Sequence, residues 1–230
     1  MPSRSVKIFS GFERFWHWTQ MLLIFMLLFT GLRIHGVYGI ISFDQAVWLH
    51  TWSALFLVAL WVFAVFWHLT TGAWRHYLPT TKGLWPVLRF YAWDIFRGKP
   101  HPYRKHFWRK HNPLQALTYL GLKLFLFPAI WVSGLLYLTY NYWQDGVSSP
   151  WLPWVAVVHV LSAYAIAAFV IIHVYMLTTG GSFRHHVMPM INGYDEVELT
   201  PAEEAYLQQD EPGRILGASD HRHSSVERNS

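Results

Sequence analysis

Four long stretches of this chain are apolar and nearly free of charge. Phe15 to Leu32 is uncharged and bounded by Arg14 and Arg33. Gln45 to Trp74 and Trp151 to Thr178 contain no Asp, Glu, Lys or Arg, and Leu114 to Tyr140 is interrupted only by Lys123. A helix needs about 20 apolar residues to cross a bilayer core of about 30 Å. Each stretch meets that length, and in lipid only helices and closed barrels satisfy the backbone. The pattern predicts an all-α integral membrane protein, a four-helix bundle. Between the second and third stretches, Gly83 to Phe96 alternates bulky apolar residues with Arg89 and Asp94. That alternation predicts an interfacial amphipathic segment in the connecting loop.

Composition supports the membrane class. The chain is 53% hydrophobic and 13% charged, where a soluble domain averages about 25% charged. Its 14 Trp, 12 Tyr and 16 Phe suit interfacial belts and cofactor packing. With no cysteine, disulfides, thiolate-held iron–sulfur clusters, covalent haem attachment and a cysteine nucleophile are excluded. The first apolar run is too long for a cleavable signal and is expected to remain as a helix.

Charge placement predicts topology. Arg4, Lys7 and Arg14 precede span one, and nine Lys/Arg from Arg75 to Lys110 lie between spans two and three. The other two loops, 33–47 and 141–150, hold only Arg33. The positive-inside rule then puts both termini and the long loop in the cytoplasm. Basic residues that flank apolar spans are better read as topology signals than as a nucleic-acid surface, so no nucleic-acid partner is expected. Nine of the 13 acids follow Gly193. The chain accordingly divides into a transmembrane domain, 1–194, and an acidic tail, 195–230, predicted to be a mobile cytoplasmic extension. His221 and His223 in that tail are read as solvated.

Span four carries His159 and His173, fourteen residues apart. At about 100° per residue the two side chains lie about 40° apart around the helix and about 21 Å apart along it. One helix thus aims two imidazoles to one side, one near each membrane face. Ionisable side chains are expensive in lipid and mark function. The predicted topology puts His50 and His159 near the outer face, and His17, His68 and His173 near the inner face. Two level pairs emerge: His50 with His159, and His17 with His173. Haem iron takes an axial ligand on each face of its ring, and neutral imidazole is a common donor. The pairs predict two bis-histidine haem b groups. His68, five turns beyond His50, is an alternative inner ligand, a propionate partner or proton carrier, or an interfacial histidine bonded to a carbonyl.

Other positions admit two readings each. Gly31 and Gly134 give either clearance for a porphyrin or close helix packing. Arg33 is placed to pair with outer-haem propionates. Lys123 either snorkels to the inner surface or pairs with an inner propionate or a quinone.

The motifs Arg-Phe-Trp-His-Trp at Arg14 to Trp18, His-Thr-Trp-Ser from His50 and His-Asn-Pro at His111 to Pro113 form part of a longer set. Ala-Phe-Val-Ile-Ile-His-Val-Tyr-Met at Ala168 to Met176 and Met-Ile-Asn-Gly-Tyr at Met190 to Tyr194 complete it. In these the chain, from about Phe12 to Tyr194, resembles the b-type cytochrome subunits of membrane-bound nickel–iron hydrogenases, a group that also serves formate dehydrogenases and thiosulfate reductases. The resemblance implies a bacterial cytoplasmic-membrane cytochrome with two haems, ligated by His17, His50, His159 and His173. It assigns no ligand to His68. It implies that Asn112, with Gln115 one turn on, helps bind quinone near the inner haem. From the residues alone, Asn112-Pro113 is an N-cap followed by an N1 proline.

The expected function is electron transfer between a partner redox subunit and the quinone pool. The resemblance admits a hydrogenase, formate dehydrogenase, thiosulfate reductase or multihaem cytochrome as that partner. The short outer loops argue against a large periplasmic partner. The alternative is a stand-alone di-haem membrane oxidoreductase, for example one that oxidises superoxide. A transporter or metal carrier is disfavoured, because no Asp or Glu falls inside a predicted span.

Overall fold

The computed structural model describes residues 3–78, 80, 82–99, 102–103, 111–143, 150–178 and 183–216. Among them, four helical stretches are long and apolar enough to cross a membrane: Gly11–Ile34, Phe43–Thr71, Pro113–Leu138 and Leu152–Met176. They coincide with the four apolar runs, so the protein is an all-α membrane helical bundle. The chain divides into two compact units, one of them comprising Trp16–Arg75 and Leu117–Met176.

That unit holds most of the membrane-spanning residues. Helix α1 (Gly11–Ile34) opens on a reciprocal cap: Ser10 N–H donates to Glu13 Oε2 (2.9 Å) and Glu13 N–H to Ser10 Oγ (3.2 Å). Helix α2 (Phe43–Thr71) starts on the same device, Ser42 with Gln45, and stops at Gly72 in the left-handed conformation that terminates helices. Helix α3 (Leu84–Ala92) belongs to the other unit. The third span is built from α4 (Pro113–Gly121), a π-helical turn (Leu122–Leu126) and α5 (Phe127–Leu138). Pro128 lacks an N–H and cannot bond back to the preceding turn. The wide turn just before it accommodates that loss. After the short α6 (Tyr140–Trp143) comes α7 (Leu152–Met176), which packs along α5.

Tight aromatic contacts lock these helices together. The Trp61 indole of α2 meets Phe127 edge-on at 4.1 Å and Trp131 at 4.9 Å. Elsewhere large apolar side chains such as Phe25, Phe56, Phe125 and Ile171 are exposed. In water so much apolar surface would drive aggregation, whereas lipid solvates it at no cost.

The second unit comprises residues 1–15, 76–116 and 177–230. Strand β1 (Ser3–Lys7) pairs antiparallel with β2 (Tyr194–Glu198), Ser3 opposite Glu198 and Lys7 opposite Tyr194. Val6, Ile8, Val197, Leu199, Leu207 and Ile215 form its apolar core. Helix α8 (Phe183–Asn192) leads into β2 through Gly193, and α9 (Pro201–Asp210) follows it. Gly193 has φ +91°, and a β-carbon there would lie 2.7 Å from the Phe9 carbonyl oxygen. Only glycine fits that turn.

Composition predicts an unstructured extension after Tyr194. Residues 194–216 instead form β2, α9 and a 3₁₀ turn, because Val197 of β2, Leu199 just beyond it, Leu207 of α9 and Ile215 supply apolar groups that pack with Val6 and Ile8. Residues 217–230, with His221 and His223, lie outside the described residues. The amphipathic segment expected at Gly83 to Phe96 is α3 followed by a 3₁₀ turn, Asp94–Arg97, with Val87 and Phe90 buried and Trp85 exposed.

Candidate functional site

Four histidines of the spanning helices meet as two pairs. His50 of α2 and His159 of α7 have ring centroids 6.3 Å apart with planes inclined at 64°. His17 of α1 and His173 of α7 lie 6.5 Å apart at 54°. The same helix contributes one member to each pair, as its fourteen-residue spacing requires.

The surroundings of the two pairs differ. Nδ1 of His50 lies 2.9 Å from Oγ of Thr30 in α1, and Nδ1 of His159 lies 3.1 Å from Oγ of Ser133 in α5. The Thr30 hydroxyl donates to the Met26 carbonyl at 2.7 Å, and the Ser133 hydroxyl to the Ala129 carbonyl at 2.6 Å. Each hydroxyl proton is thereby committed, so each imidazole Nδ1–H donates to the oxygen. Nε2 of both rings then carries the free lone pair. Each hydroxyl residue is followed by a glycine. A β-carbon on Gly31 would lie 3.5 Å from Cε1 of His50, and one on Gly134 would lie 3.2 Å from Cε1 of His159. Gly134 therefore gives the His159 ring room that a larger residue would take, while the clearance beside Gly31 is an ordinary van der Waals contact. Around the other pair, aromatic rings replace hydroxyls. Trp18 meets His17 edge-on at 5.3 Å, and Phe169 stacks on His173 at 5.8 Å. Nδ1 of His17 is buried with no hydrogen-bond partner among the described residues.

His68 stands in neither pair. Its Nδ1–H donates to the Ala64 carbonyl one turn back (2.6 Å), and its ring packs edge-on against Trp16. Lys123, in the π-helical turn, puts Nζ 5.9 Å from the centroid of the Trp16 ring. Arg33 donates from Nε to the Ile41 carbonyl at 2.7 Å and so ties down the loop after α1.

Asn112 is buried in the second unit and caps α4. Its Oδ1 accepts from Gln115 N–H (2.8 Å), its own N–H donates to Gln115 Oε1 (3.0 Å), and its Nδ2 donates to the Tyr91 hydroxyl (3.3 Å). Burial raises the Tyr91 pKa above its ordinary value, opposed by the bond from Asn112.

Residues 8–193 match the family model described as prokaryotic cytochrome b561. The chain belongs to that family. This cytochrome is also 29% identical, over 195 residues, to an Escherichia coli (strain K12) protein, YdhU, whose name provisionally describes a cytochrome. The alignment covers 82% of this chain and 74% of that relative. No solved structure is significantly similar. Family membership makes the protein a membrane cytochrome b with electron transfer as its chemistry, and it implies haem b.

The donor set suits that group. An imidazole nitrogen lies about 1.1 Å from its ring centroid and bonds a metal ion at about 2.0 Å. Two imidazoles facing across one ion therefore place their centroids about 6.2 Å apart, close to both observed separations. Thr30 and Ser133 were not legible as site residues in the sequence. A hydroxyl residue directly before a glycine, in two spans at one predicted depth, was the available signal. Hydroxyls in apolar helices usually only bond back to their own backbone, which these also do.

Proposed function

We propose that this cytochrome is a di-haem electron conduit of a bacterial cytoplasmic membrane, working between a partner redox protein and the quinone pool. The observation that carries the reading is the pair of imidazole pairs, each at the spacing one metal ion requires. His50 and His159 hold one haem b, and His17 and His173 hold the other. Bound haem supplies reversible one-electron exchange at iron. Two histidines holding each haem would leave no iron position open, which favours electron transfer over oxygen activation.

The remaining roles belong to the chain's own groups. Apolar helices keep water from the site and fix the spacing of the two pairs, about 21 Å along α7. Arg33 offers guanidinium N–H groups to haem carboxylates at the His50 end. Asn112 binds quinone while it caps α4. Quinone and quinol differ by two electrons and two protons, and the electrons pass one at a time, in either direction, between the quinone and a partner redox subunit. The distribution of Lys and Arg supports both termini being cytoplasmic, with the His50/His159 pair at the outer side.

The test is spectroscopic. Purified from membranes with ample haem supply, the protein should show a reduced-minus-oxidised b-type spectrum with two haems per chain, and quinol should reduce them. A colourless protein would refute the reading. Purification from native membranes then identifies the partner by mass spectrometry.

A further inference from the structure

We infer that Thr30 and Ser133 are positioning residues that make the His50/His159 centre the lower-potential of the two. The inference rests on the di-haem reading proposed above. Both hydroxyl oxygens accept a hydrogen bond from Nδ1–H of the neighbouring imidazole, at 2.9 and 3.1 Å, with their own protons directed to the Met26 and Ala129 carbonyls. An imidazole that donates from Nδ1 is a stronger electron donor through Nε2. Stronger axial donation stabilises oxidised iron relative to reduced iron and lowers the potential.

The other centre lacks this support on at least one side. Nδ1 of His17 is buried without an acceptor among the described residues, and Trp18 and Phe169 surround that pair with aromatic surface. An apolar shell disfavours the more highly charged oxidised state and raises the potential. The two effects act in opposite directions on the two centres, so they separate the potentials. Gly134 is part of the device: a β-carbon there would crowd the His159 ring at 3.2 Å, whereas the clearance of Gly31 from His50 is an ordinary contact at 3.5 Å.

The experiment is an optical redox titration of the purified holoprotein, which should resolve into two one-electron steps. Thr30→Val and Ser133→Ala keep shape but remove the acceptor. In each, the lower step should move upward while the upper step stays in place. Thr30→Ser restores the hydroxyl and should titrate as wild type. Independently, His17→Ala should leave one haem, and that haem should titrate at the lower wild-type step. The inference is overturned if both steps stay put in the hydroxyl variants. It is equally overturned if the upper step is the one that moves, or if the His17→Ala protein titrates at the upper step. Wild-type protein with fewer than two haems would instead overturn the di-haem reading, which haem quantification decides before any titration.

Discussion

Gly134 stands directly against His159, so that a β-carbon on it would lie 3.2 Å from the imidazole Cε1. The matching clearance between Gly31 and His50 is 3.5 Å, an ordinary van der Waals contact. Two glycines in similar roles therefore differ in how much they tolerate. Gly134→Ala must push the ring by a few tenths of an ångström and should weaken one haem, at a cost of roughly 1–3 kcal/mol for such overpacking. Gly31→Ala should be close to neutral. Haem-to-protein ratios after detergent extraction compare the two, and equal losses would show that the clearance does not matter.

The assignment of His17 over His68 yields a paired prediction. His17 lies 6.5 Å from His173, whereas His68 is bonded to its own helix through the Ala64 carbonyl. His17→Ala and His173→Ala should each lose one haem and keep the other. His68→Ala should keep both. Difference spectra calibrated for haem content decide this, and loss of a haem only on replacement of His68 would exchange the roles.

Asn112 carries a structural duty that must be separated from its proposed quinone contact. Asn112→Ala removes the cap, which costs about 1 kcal/mol. Asn112→Asp retains the oxygen that accepts from Gln115 but loses the donor to Tyr91. If Asn112 binds quinone, Asn112→Asp should slow haem reduction by quinol with a raised KM, while the thermal midpoint stays nearer wild type than that of Asn112→Ala. Unchanged quinol kinetics would leave Asn112 as a cap alone.

Gly193→Ala should destabilise the unit built on β1 and β2. The substitution combines a positive φ with a 2.7 Å approach to the Phe9 carbonyl, a strain of roughly 2 kcal/mol. Arg14, which donates from Nη1 to the Ile191 carbonyl, holds the adjoining turn and leaves little room to relax. Limited proteolysis should cut the variant earlier within residues 194–216 than it cuts wild type.

Tyr91 gives a pH dependence with a definite sign. Its folded pKa is raised by burial, so the neutral hydroxyl is favoured in the fold. The corresponding stability is present below the ordinary tyrosine value of about 10 and is lost as pH rises through the raised one. Wild type should lose stability on that alkaline side faster than Tyr91→Phe does. Thermal midpoints measured from pH 8 upward on both proteins check this.

The four spanning helices could be read from one dimension, because lipid demands an unbroken apolar run about 20 residues long. The pairing of His50 with His159 was also legible, whereas His17 and His68 both stood at the depth of His173 and only the family resemblance favoured His17. Helical rise and alternating span direction assign each imidazole a depth, and α7 has no freedom to place His159 and His173 elsewhere. The composition after Tyr194 misled, because strand pairing between Ser3 and Glu198 joins residues near opposite ends of the chain. No local signal announces such a partner. Asn112 was legible as a cap, but its bond to Tyr91 needed a fold that brings the two residues together.

What the sequence determined by itself is therefore the class of protein, its helices and which histidines lie at each of two depths, since hydropathy and helical periodicity are local properties. What only the tertiary structure decided is which hydroxyl faces which ring. Thr30 and Ser133 look alike in an apolar run to many other hydroxyls. Their contact with His50 and His159 depends on the rotation and separation of neighbouring helices, and those are set by packing across the bundle.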